Sequence, residues 1–213
     1  MNSRYRLLAL LLILLTGGLY VLLRPLPHPE SAIYFNPPHK LTPFKLAQSD
    51  GSALTVESLR GHWSFVFIGY TYCPDICPTT LADLRAVYPA LKQQDASSRV
   101  LFISVDPVRD DLPRLASYIT FFNKEFIAAT GPHEELLRLT RELGLVYSMV
   151  EHKDAPEHYL IDHSASIVLI NPQGEVQAVF RPDAKQGPFP QVSMSALVSD
   201  FSRIRALYQR EQS

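Results

Sequence analysis

The stretch SFVFIGYTYCPDICP, residues 64–78, decides the fold class of this 213-residue chain. Its first part, Ser64–Tyr70, is a short run of apolar, aromatic and β-branched residues, which is typical of a strand buried on both faces. A helix is predicted to begin at Pro78, because proline is tolerated in the first helical turn, and to break or kink at Pro89. A buried strand that leads directly into a helix is the building unit of an α/β domain.

The residues on both sides of this stretch continue the alternation of strands and helices. Turn sequences at Ser49–Gly51 and Asn171–Gly174 predict two β-hairpins, and the charged segment Glu151–His158 is predicted to be a loop. The remaining predicted elements are strands at Arg99–Val105, Phe126–Ala129, Ser166–Ile170 and Glu175–Phe180 and helices at Asp111–Asn123, His133–Leu143 and Val192–Gln209. We therefore expect a central mixed sheet with flanking helices on both faces, parallel in its first half and antiparallel at its terminal hairpin.

The overall composition excludes two classes of protein. Twenty Lys and Arg residues nearly balance 21 Asp and Glu residues, so no strong positive field indicates a nucleic-acid partner. The chain has only two cysteines, which excludes a small domain stabilised by several disulfides. Any sulfur chemistry must therefore take place at one site.

The N-terminal segment Leu7–Leu23 is uncharged and rich in leucine. Its length of about 17 residues is the lower limit for a helix that spans a bilayer, and a cleaved secretory signal is the alternative. We favour an uncleaved anchor, because no A-x-A-like cleavage site follows the segment. Arg4 and Arg6 precede it, so the positive-inside rule places residues 1–6 in the cytoplasm. The expected product is a single-pass protein of the bacterial inner membrane with its domain in the periplasm.

Residues 24–41 contain five prolines and are predicted to form a semi-rigid spacer between the anchor and the domain. His28 and His39 lie in this segment and are interpreted as solvated spacer residues. The predicted domain then covers residues 42–213.

The two cysteines, Cys73 and Cys77, lie between the buried strand and the predicted helix. Functional sites in α/β sheets gather at the carboxyl ends of strands, and the first helical turn favours the thiolate form of a cysteine. Three interpretations of the pair are open: an inert disulfide, a redox-active dithiol or a soft-metal site. The three intervening residues, one more than is usual in redox exchangers, favour the metal site without excluding disulfide chemistry.

A metal site would need a third ligand, and His163 is the candidate among the seven histidines. It lies immediately before the predicted strand Ser166–Ile170, a position that faces the cysteines in thioredoxin-like folds. Asp162 is expected to orient the imidazole ring as a hydrogen-bond partner. The other histidines of the domain are interpreted as surface residues, and they are His62, His133, His152 and His158.

Three segments together resemble the Sco/SenC family of copper-binding assembly proteins for cytochrome c oxidase. They are YTYCPDICP at Tyr70–Pro78, SVDPVRD at Ser104–Asp110 and YLIDHSASIVLINPQG at Tyr159–Gly174. The resemblance extends over residues 44–205. It implies a thioredoxin-like, peroxiredoxin-related fold with extra elements near residues 106–123 and 146–159.

The resemblance also implies a site. Cys73, Cys77 and His163 match the family's ligands of a copper ion, which is carried as Cu(I) or Cu(II). Four charged residues fall on motif positions, where their role is in loop structure or in contacts with a partner, and they are Asp75, Asp106, Arg109 and Asp110.

The function implied by the resemblance is that of a non-catalytic copper chaperone. Its partner would be the copper-receiving subunit of cytochrome c oxidase, and other periplasmic copper or thiol-redox proteins are further candidates. The alternative is an extracytoplasmic thiol–disulfide oxidoreductase that acts on the copper-site cysteines of the oxidase or in redox sensing. A pure interaction module would leave the Cys–Cys–His set unexplained.

Overall fold

Ten strands are present in the part of the chain that the computed structural model describes, which is residues 11–13, 16, 26–152, 155–183 and 191–212. The strands are β1 (Ala32–His39), β2 (Leu46–Gln48), β3 (Ala53–Leu54), β4 (Ser64–Gly69), β5 (Arg99–Ser104), β6 (Ile127–Thr130), β7 (Tyr147–His152), β8 (Ala155–His163), β9 (Ile167–Ile170) and β10 (Val176–Phe180). Eight of them form one mixed sheet in the order β1-β10-β9-β4-β5-β6-β2-β3, and β7 and β8 form a separate two-stranded sheet. Strands β4, β5 and β6 are parallel, whereas β9 and β10 form the predicted antiparallel hairpin.

Five helices flank the eight-stranded sheet within the described ranges from residue 26 onward. They are α1 (Val56–Leu59), α2 (Ile76–Gln94), α3 (Leu112–Phe122), α4 (His133–Glu142) and α5 (Met194–Glu211). Apolar residues of α2, α3 and α5 share one buried cluster with one face of the sheet. Residues of α1 and α4 share a second cluster with the other face. The predicted mixed sheet with helices on both faces is therefore confirmed.

Strand β4 shows why the central stretch folds as predicted. All six of its residues are buried. Phe65 and Phe67 belong to the cluster beneath α2, α3 and α5, while Val66 and Ile68 belong to the cluster beneath α1 and α4. Both faces of the strand are therefore covered, which is why its sequence is apolar throughout rather than alternating.

Pro89 was predicted to break or kink helix α2, and the break is wrong, because the helix continues through Pro89 to Gln94. A proline inside a helix removes one hydrogen bond and costs about 3 kcal/mol. Tyr88 and Leu91, on either side of Pro89, are buried in the core. Their packing holds the helix together at this point, since tertiary contacts contribute most of the stability of a helix in a folded protein.

The predicted loop Glu151–His158 is also wrong, because its described residues belong to the paired strands β7 and β8. Tyr147 pairs with His163 at one end of this ladder, and Val150 pairs with Leu160 further along it. Val150 is 39% exposed and Leu160 is 41% exposed. The predicted loop segment 151–158 is itself charged, so it lacks the continuous apolar run by which a buried strand is recognised in a sequence.

The predicted spacer 24–41 is shorter than expected, because residues Ala32–His39 form strand β1. This strand lies at the edge of the eight-stranded sheet and pairs antiparallel with β10. Prolines 37 and 38 fit this position, since an edge strand has one side on which no N–H group needs a partner strand. The domain therefore begins before residue 42.

Asp200 of α5 fixes the point at which the chain enters the sheet. Its buried carboxylate accepts hydrogen bonds from three consecutive backbone N–H groups, those of Glu30 (2.8 Å), Ser31 (2.7 Å) and Ala32 (3.0 Å). Burial alone would raise the pKa of Asp200, but its hydrogen bonds, first that from the Ser31 hydroxyl, lower it. Ala32 pairs with Phe180, and Phe180 pairs with Ile167. This row lies toward the end of the sheet at which β4 terminates, so the chain enters the domain at that same end of the sheet.

The predicted tail 1–6 and most of the predicted anchor 7–23 lie outside the described residues. Residues 11–13 and 16 of the anchor are described, and they are helical. Among the described ranges, no helix combines the length and the apolar character needed to cross a membrane.

Candidate metal centre

Strand β4 and helix α2 position the two cysteines. The strand ends at Gly69, a short turn follows, and the helix begins at Ile76. Cys73 lies in the turn and is half-buried, whereas Cys77 is the second residue of α2 and is buried. Neither cysteine forms a disulfide. Cys77 therefore occupies the first helical turn, because the helix begins two residues before its predicted start at Pro78.

Gly69 leaves room for the sulfur of Cys77. A Cβ atom at this position would lie 2.5 Å from Cys77 Sγ and 2.9 Å from the ring of Phe102. Both distances are shorter than ordinary van der Waals contacts, so any larger residue would displace the sulfur or the ring. Glycine at the end of β4 is thus required by the packing of the cysteine.

His163 is the last residue of β8, and it faces the cysteines. Its Nε2 atom lies 3.1 Å from Cys77 Sγ, and its ring packs edge-on against Phe67 and Tyr70. The Nδ1 atom lies 3.2 Å from the backbone carbonyl oxygen of Ser164. This carbonyl, and not the predicted Asp162 carboxylate, is the partner that the structure gives to Nδ1. In a metal-bound form, a neutral imidazole that donates its Nδ1–H to the carbonyl would present the lone pair of Nε2 to the ion.

The three donor atoms of Cys73, Cys77 and His163 all lie within 4.8 Å of one another. A metal ion with bonds of about 2.0–2.3 Å, the range known from zinc sites, holds its donors about 3–4 Å apart. The three donor atoms therefore lie close enough together for one metal ion to be bound by all of them after small side-chain movements. Among the described residues, this is the group of three or more potential ligands that meets at metal-binding distances.

The two thiols differ in their protonation. The hydrogen bond from Cys77 lowers the pKa of Cys73 to about 4, with further contributions from His163 and from the backbone N–H groups of Asp75 and Cys77, against the opposing effect of burial. Burial, and then the neighbouring Cys73, raises the pKa of Cys77 far above its usual range. The metal-free pair therefore holds one thiolate and one thiol, and an ion bound by both sulfurs must displace the proton of Cys77.

Asp110 stabilises the turn that carries Cys73. Its fully buried carboxylate accepts hydrogen bonds from the backbone N–H of Thr71 (2.9 Å) and from the hydroxyl groups of Thr71 and Ser104 (both 2.6 Å). These contacts join the end of β5 to the turn after β4. Asp110 thus has the loop-structure role that was one of its two predicted roles. Asp75, by contrast, is exposed and its side chain makes no capping hydrogen bond with α2.

Asp106 and Arg109 connect the segment after β5 to strand β8. Arg109 donates a hydrogen bond to Asp106 (2.5 Å) and another to the backbone carbonyl of Tyr159 (2.9 Å). The Tyr159 hydroxyl donates to Asp106 (2.6 Å). Burial, and then this hydrogen bond, raises the pKa of Tyr159 to about 12, so the phenol is a neutral donor.

Three residues near the site were not predicted from the sequence, and they are Tyr72, Arg114 and Tyr159. Arg114 stacks over the ring of Tyr72, with its guanidinium carbon 3.9 Å from the ring centroid. The contacts of all three join segments that are far apart in the chain. Sequence periodicity reports only near neighbours. Tyr72 and Tyr159 lie within the family motifs, but nothing in the sequence distinguished them from the other motif residues.

Two of the histidines that were interpreted as surface residues do not belong to this group and have other partners. The Nδ1 atom of His62 lies 3.2 Å from the carbonyl oxygen of Ser97. His133 stacks on Tyr147, with its Nδ1 atom 3.4 Å from the tyrosine hydroxyl. The selection of His163 from the sequence therefore agrees with the geometry.

Comparison with known proteins identifies a matching family and similar proteins. Residues 35–193 match the family described as SCO1/SenC. An SCO2-like protein of Rickettsia typhi is 34% identical over 170 residues, which cover 77% of this chain and 83% of that protein.

Two solved structures have similar folds. The crystal structure of Arabidopsis thaliana ScoI with copper bound has a TM-score of 0.68 at 30% identity, and the match covers 78% of this chain and 98% of that one. The structure of Bradyrhizobium japonicum ScoI with copper bound has a TM-score of 0.62 at 30% identity, covering 76% of this chain and 98% of that one.

Proposed function

The chain belongs to the SCO1/SenC family, and from that premise we propose that it is a copper carrier that supplies the copper-receiving subunit of cytochrome c oxidase. Cys73, Cys77 and His163 are the proposed ligands, and copper is the cargo. The observation that carries the proposal is the convergence of two sulfur atoms and one imidazole nitrogen within 4.8 Å. The two similar ScoI structures, both with copper bound, support the choice of ion.

The donor set suits both oxidation states of copper. Two thiolates are soft ligands that favour Cu(I), and an added imidazole suits Cu(II) as well. Cys73 is half-buried and His163 is partly exposed, so a ligand of the receiving protein can reach the ion from their side. Cys77 is buried and keeps its sulfur within the protein. Transfer by stepwise ligand exchange would therefore begin at Cys73 or His163 and end at Cys77.

A second candidate function is favoured by the unequal thiols. Because Cys73 is a half-exposed thiolate, it can attack a disulfide of a partner protein and form a mixed disulfide, while the partner's other sulfur leaves as a thiolate. Cys77 would then lose its proton and attack Cys73. The partner is released as a dithiol, two electrons have passed to it, and the Cys73–Cys77 disulfide remains. Copper would be incidental in this thiol–disulfide exchange.

His163→Ala separates the two functions, because exchange of disulfides needs no third donor. We expect the full-length protein in detergent to bind one copper ion, and its Cu(II) form to show a sulfur-to-copper charge-transfer band. His163→Ala should lose tight Cu(II) binding, keep a reducible cysteine pair and fail to support oxidase assembly in cells at low copper. A Cys73→Ser/Cys77→Ser variant is the control that should bind no copper at all. Normal oxidase assembly by a His163→Ala protein that binds no copper would replace the carrier with the thiol reductase.

The proposal includes anchorage of the domain in the bacterial inner membrane by residues 7–23, with the domain in the periplasm. The support is the apolar sequence and its arginine flanks. Eight residues, 24–31, connect this segment to β1, and they can extend over at most about 28 Å. Since β1 starts at the end of the sheet that also carries the metal centre, an anchored domain would direct its metal centre toward the membrane.

A periplasm-dependent reporter enzyme tests this location. Fused to the C-terminus, the reporter should be active in cells, and the protein should sediment with the membrane fraction. Recovery of the native protein as a soluble species that lacks residues 1–23 would refute the anchor, and an inactive reporter would refute the periplasmic location.

A further inference from the structure

Arg109 lies where the two halves of the metal centre meet. Its guanidinium carbon is 3.6 Å from the ring centroid of Tyr159, 5.0 Å from that of Tyr72 and 5.5 Å from that of Tyr70. Tyr70 and Tyr72 belong to the segment that leads into Cys73. Tyr159 belongs to β8, the strand that ends at His163. One cation therefore contacts both the cysteine segment and the histidine strand.

The polar contacts of Arg109 close a ring with its neighbours. Arg109 and Tyr159 both donate hydrogen bonds to the fully buried Asp106, and Arg109 also donates to the backbone of Tyr159. The two donors that Arg109 uses, Nε and Nη1, have fixed relative directions in a planar guanidinium. The third, Nη2, is buried and has no hydrogen-bond partner among the described residues. Arg109 is thus held both by the hydrogen bonds of its planar guanidinium group and by its contacts with the faces of the tyrosine rings.

Strand β8 needs such a contact, because it is not part of the eight-stranded sheet. Its ladder partner in the described chain is β7, and most of the hairpin side chains whose burial is described, at 147–150 and 159–163, are exposed. The distance between His163 and Cys77 therefore depends on contacts that cross from the hairpin to the domain. The buried Ile161 and the contacts of the His163 ring with Phe67 and Tyr70 supply apolar interactions. Polar interactions come from a hydrogen bond between the Ile161 backbone and Tyr70 and from the hydrogen bonds among Arg109, Asp106 and Tyr159.

We propose that Arg109 is a positioning residue that holds the His163 strand against the cysteine segment and so sets the affinity for Cu(II) relative to Cu(I). The inference rests on the proposed copper function. Cu(I) can be held by the two thiolates, which lie on one continuous segment of the core. Cu(II) depends more on the imidazole, which comes from the exposed hairpin. Loosening the hairpin should therefore weaken Cu(II) binding selectively.

The test compares Arg109→Met with Arg114→Met in the full-length protein in detergent. Methionine keeps much of the length and apolar packing of arginine but removes the guanidinium group with its charge and its N–H donors. Arg114 is the matched control, because it also stacks on Tyr72 and donates to Thr71. The contacts that the structure shows for Arg114 do not include the hairpin. Cu(II) and Cu(I) affinities would be measured in parallel by ligand competition. We expect Arg109→Met to lose at least about tenfold in Cu(II) affinity and less than about threefold in Cu(I) affinity, since loss of a group that orients a metal ligand costs about 10- to 100-fold in affinity. Arg114→Met should change both by less than about threefold.

Hydrogen exchange of the metal-free proteins gives a readout that does not need copper. Arg109→Met should increase amide exchange in residues 159–163, and Arg114→Met should not. Arg109→Lys keeps the charge without the planar guanidinium group and should behave like Arg109→Met. If Arg109→Met does not fold, Tyr159→Phe, which removes one hydroxyl from the ring, should show the same selectivity with a smaller loss.

The outcomes separate this inference from the proposed function. Absence of copper binding by the wild type would refute the copper function, and the exchange data would still decide whether Arg109 holds the hairpin. Wild-type Cu(II) affinity and exchange in Arg109→Met, or in Arg109→Lys, would overturn the positioning role. Equal losses for Cu(I) and Cu(II) would overturn it as well, because they would indicate general damage to the site.

Discussion

The two halves of the metal centre are supported in different ways. The cysteine half continues from β4, a strand with six buried residues, and its turn is fixed by the buried Asp110. The histidine half lies on the β7–β8 hairpin, outside the eight-stranded sheet, and Met149 and Leu160 of that hairpin are 44% and 41% exposed. The cysteine half is therefore held in place by the core of the domain, whereas the histidine half is held by a few tertiary contacts.

This difference would suit the proposed copper carrier, which must both hold and release an ion. Two sulfurs on a rigid segment keep a constant spacing, so Cu(I) has a stable pair of ligands. A third ligand on a lightly held hairpin can move without unfolding the core, because local openings need less free energy in regions with few buried contacts. Release of the imidazole can then precede release of the sulfurs.

The largest expected effect concerns the cysteine half alone, in the metal-free protein. Iodoacetamide should modify Cys73 at least about a hundred times faster than the buried Cys77, because alkylation needs an accessible thiolate. The pKa of Cys73 is lowered to about 4, so its thiolate is present above that pH and is lost as the pH falls through it. The rate at Cys73 should therefore stay nearly constant from pH 8 to pH 5 and fall below about pH 4. Mass spectrometry of the alkylated peptides measures both rates.

Cys77→Ala is the matched control for this profile. The hydrogen bond from Cys77 is the first cause of the lowered pKa of Cys73, so its removal should shift the midpoint of the profile toward higher pH. Equal alkylation of the two cysteines in the folded wild type would contradict the asymmetry, and so would an unshifted midpoint in Cys77→Ala.

The next effect tests how closely the cysteine half is packed. Gly69→Ala should lower the free energy of unfolding by about 2 kcal/mol and weaken copper binding, because its methyl group would occupy the space of Cys77 Sγ. Gly61→Ala is the control: its φ of +77° makes alanine unfavourable by about 1–2 kcal/mol, but nothing lies within 4 Å of the added atom. Denaturant unfolding and copper titration of both variants would separate backbone strain from damage to the site. Normal copper binding by Gly69→Ala would show that the sulfur can move without consequence.

The same difference between the halves explains which features could be predicted from the sequence. The strand, the turn and the first helical turn around Cys73 and Cys77 are local, and each has a recognisable sequence pattern. The position of His163 could be predicted from its place before the β9 strand and from the family resemblance. Residues 151–158 of the hairpin that carries it were predicted as a loop, because this charged segment shows no continuous apolar run.

Contacts between distant residues account for the rest. Strand β1 was hidden by its prolines, and its link to Asp200 joins residues about 170 positions apart. The contacts of Arg109 with Tyr159 join residues 50 positions apart. A motif could mark Arg109 as special, but only the folded chain shows what it touches. Tertiary packing likewise decided that helix α2 continues through Pro89.

The smallest expected effect concerns the exposed face of the hairpin. Leu160 is 41% exposed and its neighbour Ile161 is 4% exposed, because successive residues of a strand point to opposite faces. Leu160→Thr keeps a residue suited to strands and should change the free energy of unfolding by no more than about 0.5 kcal/mol. Ile161→Val, a loss of one methyl group on the buried face, should cost about 1 kcal/mol, since that face connects the hairpin to the domain. Denaturant unfolding of the two variants measures the difference. A cost for Leu160→Thr equal to or above that of Ile161→Val would mean that the exposed face is packed as tightly as the cysteine half, and the contrast between the two halves would then fail.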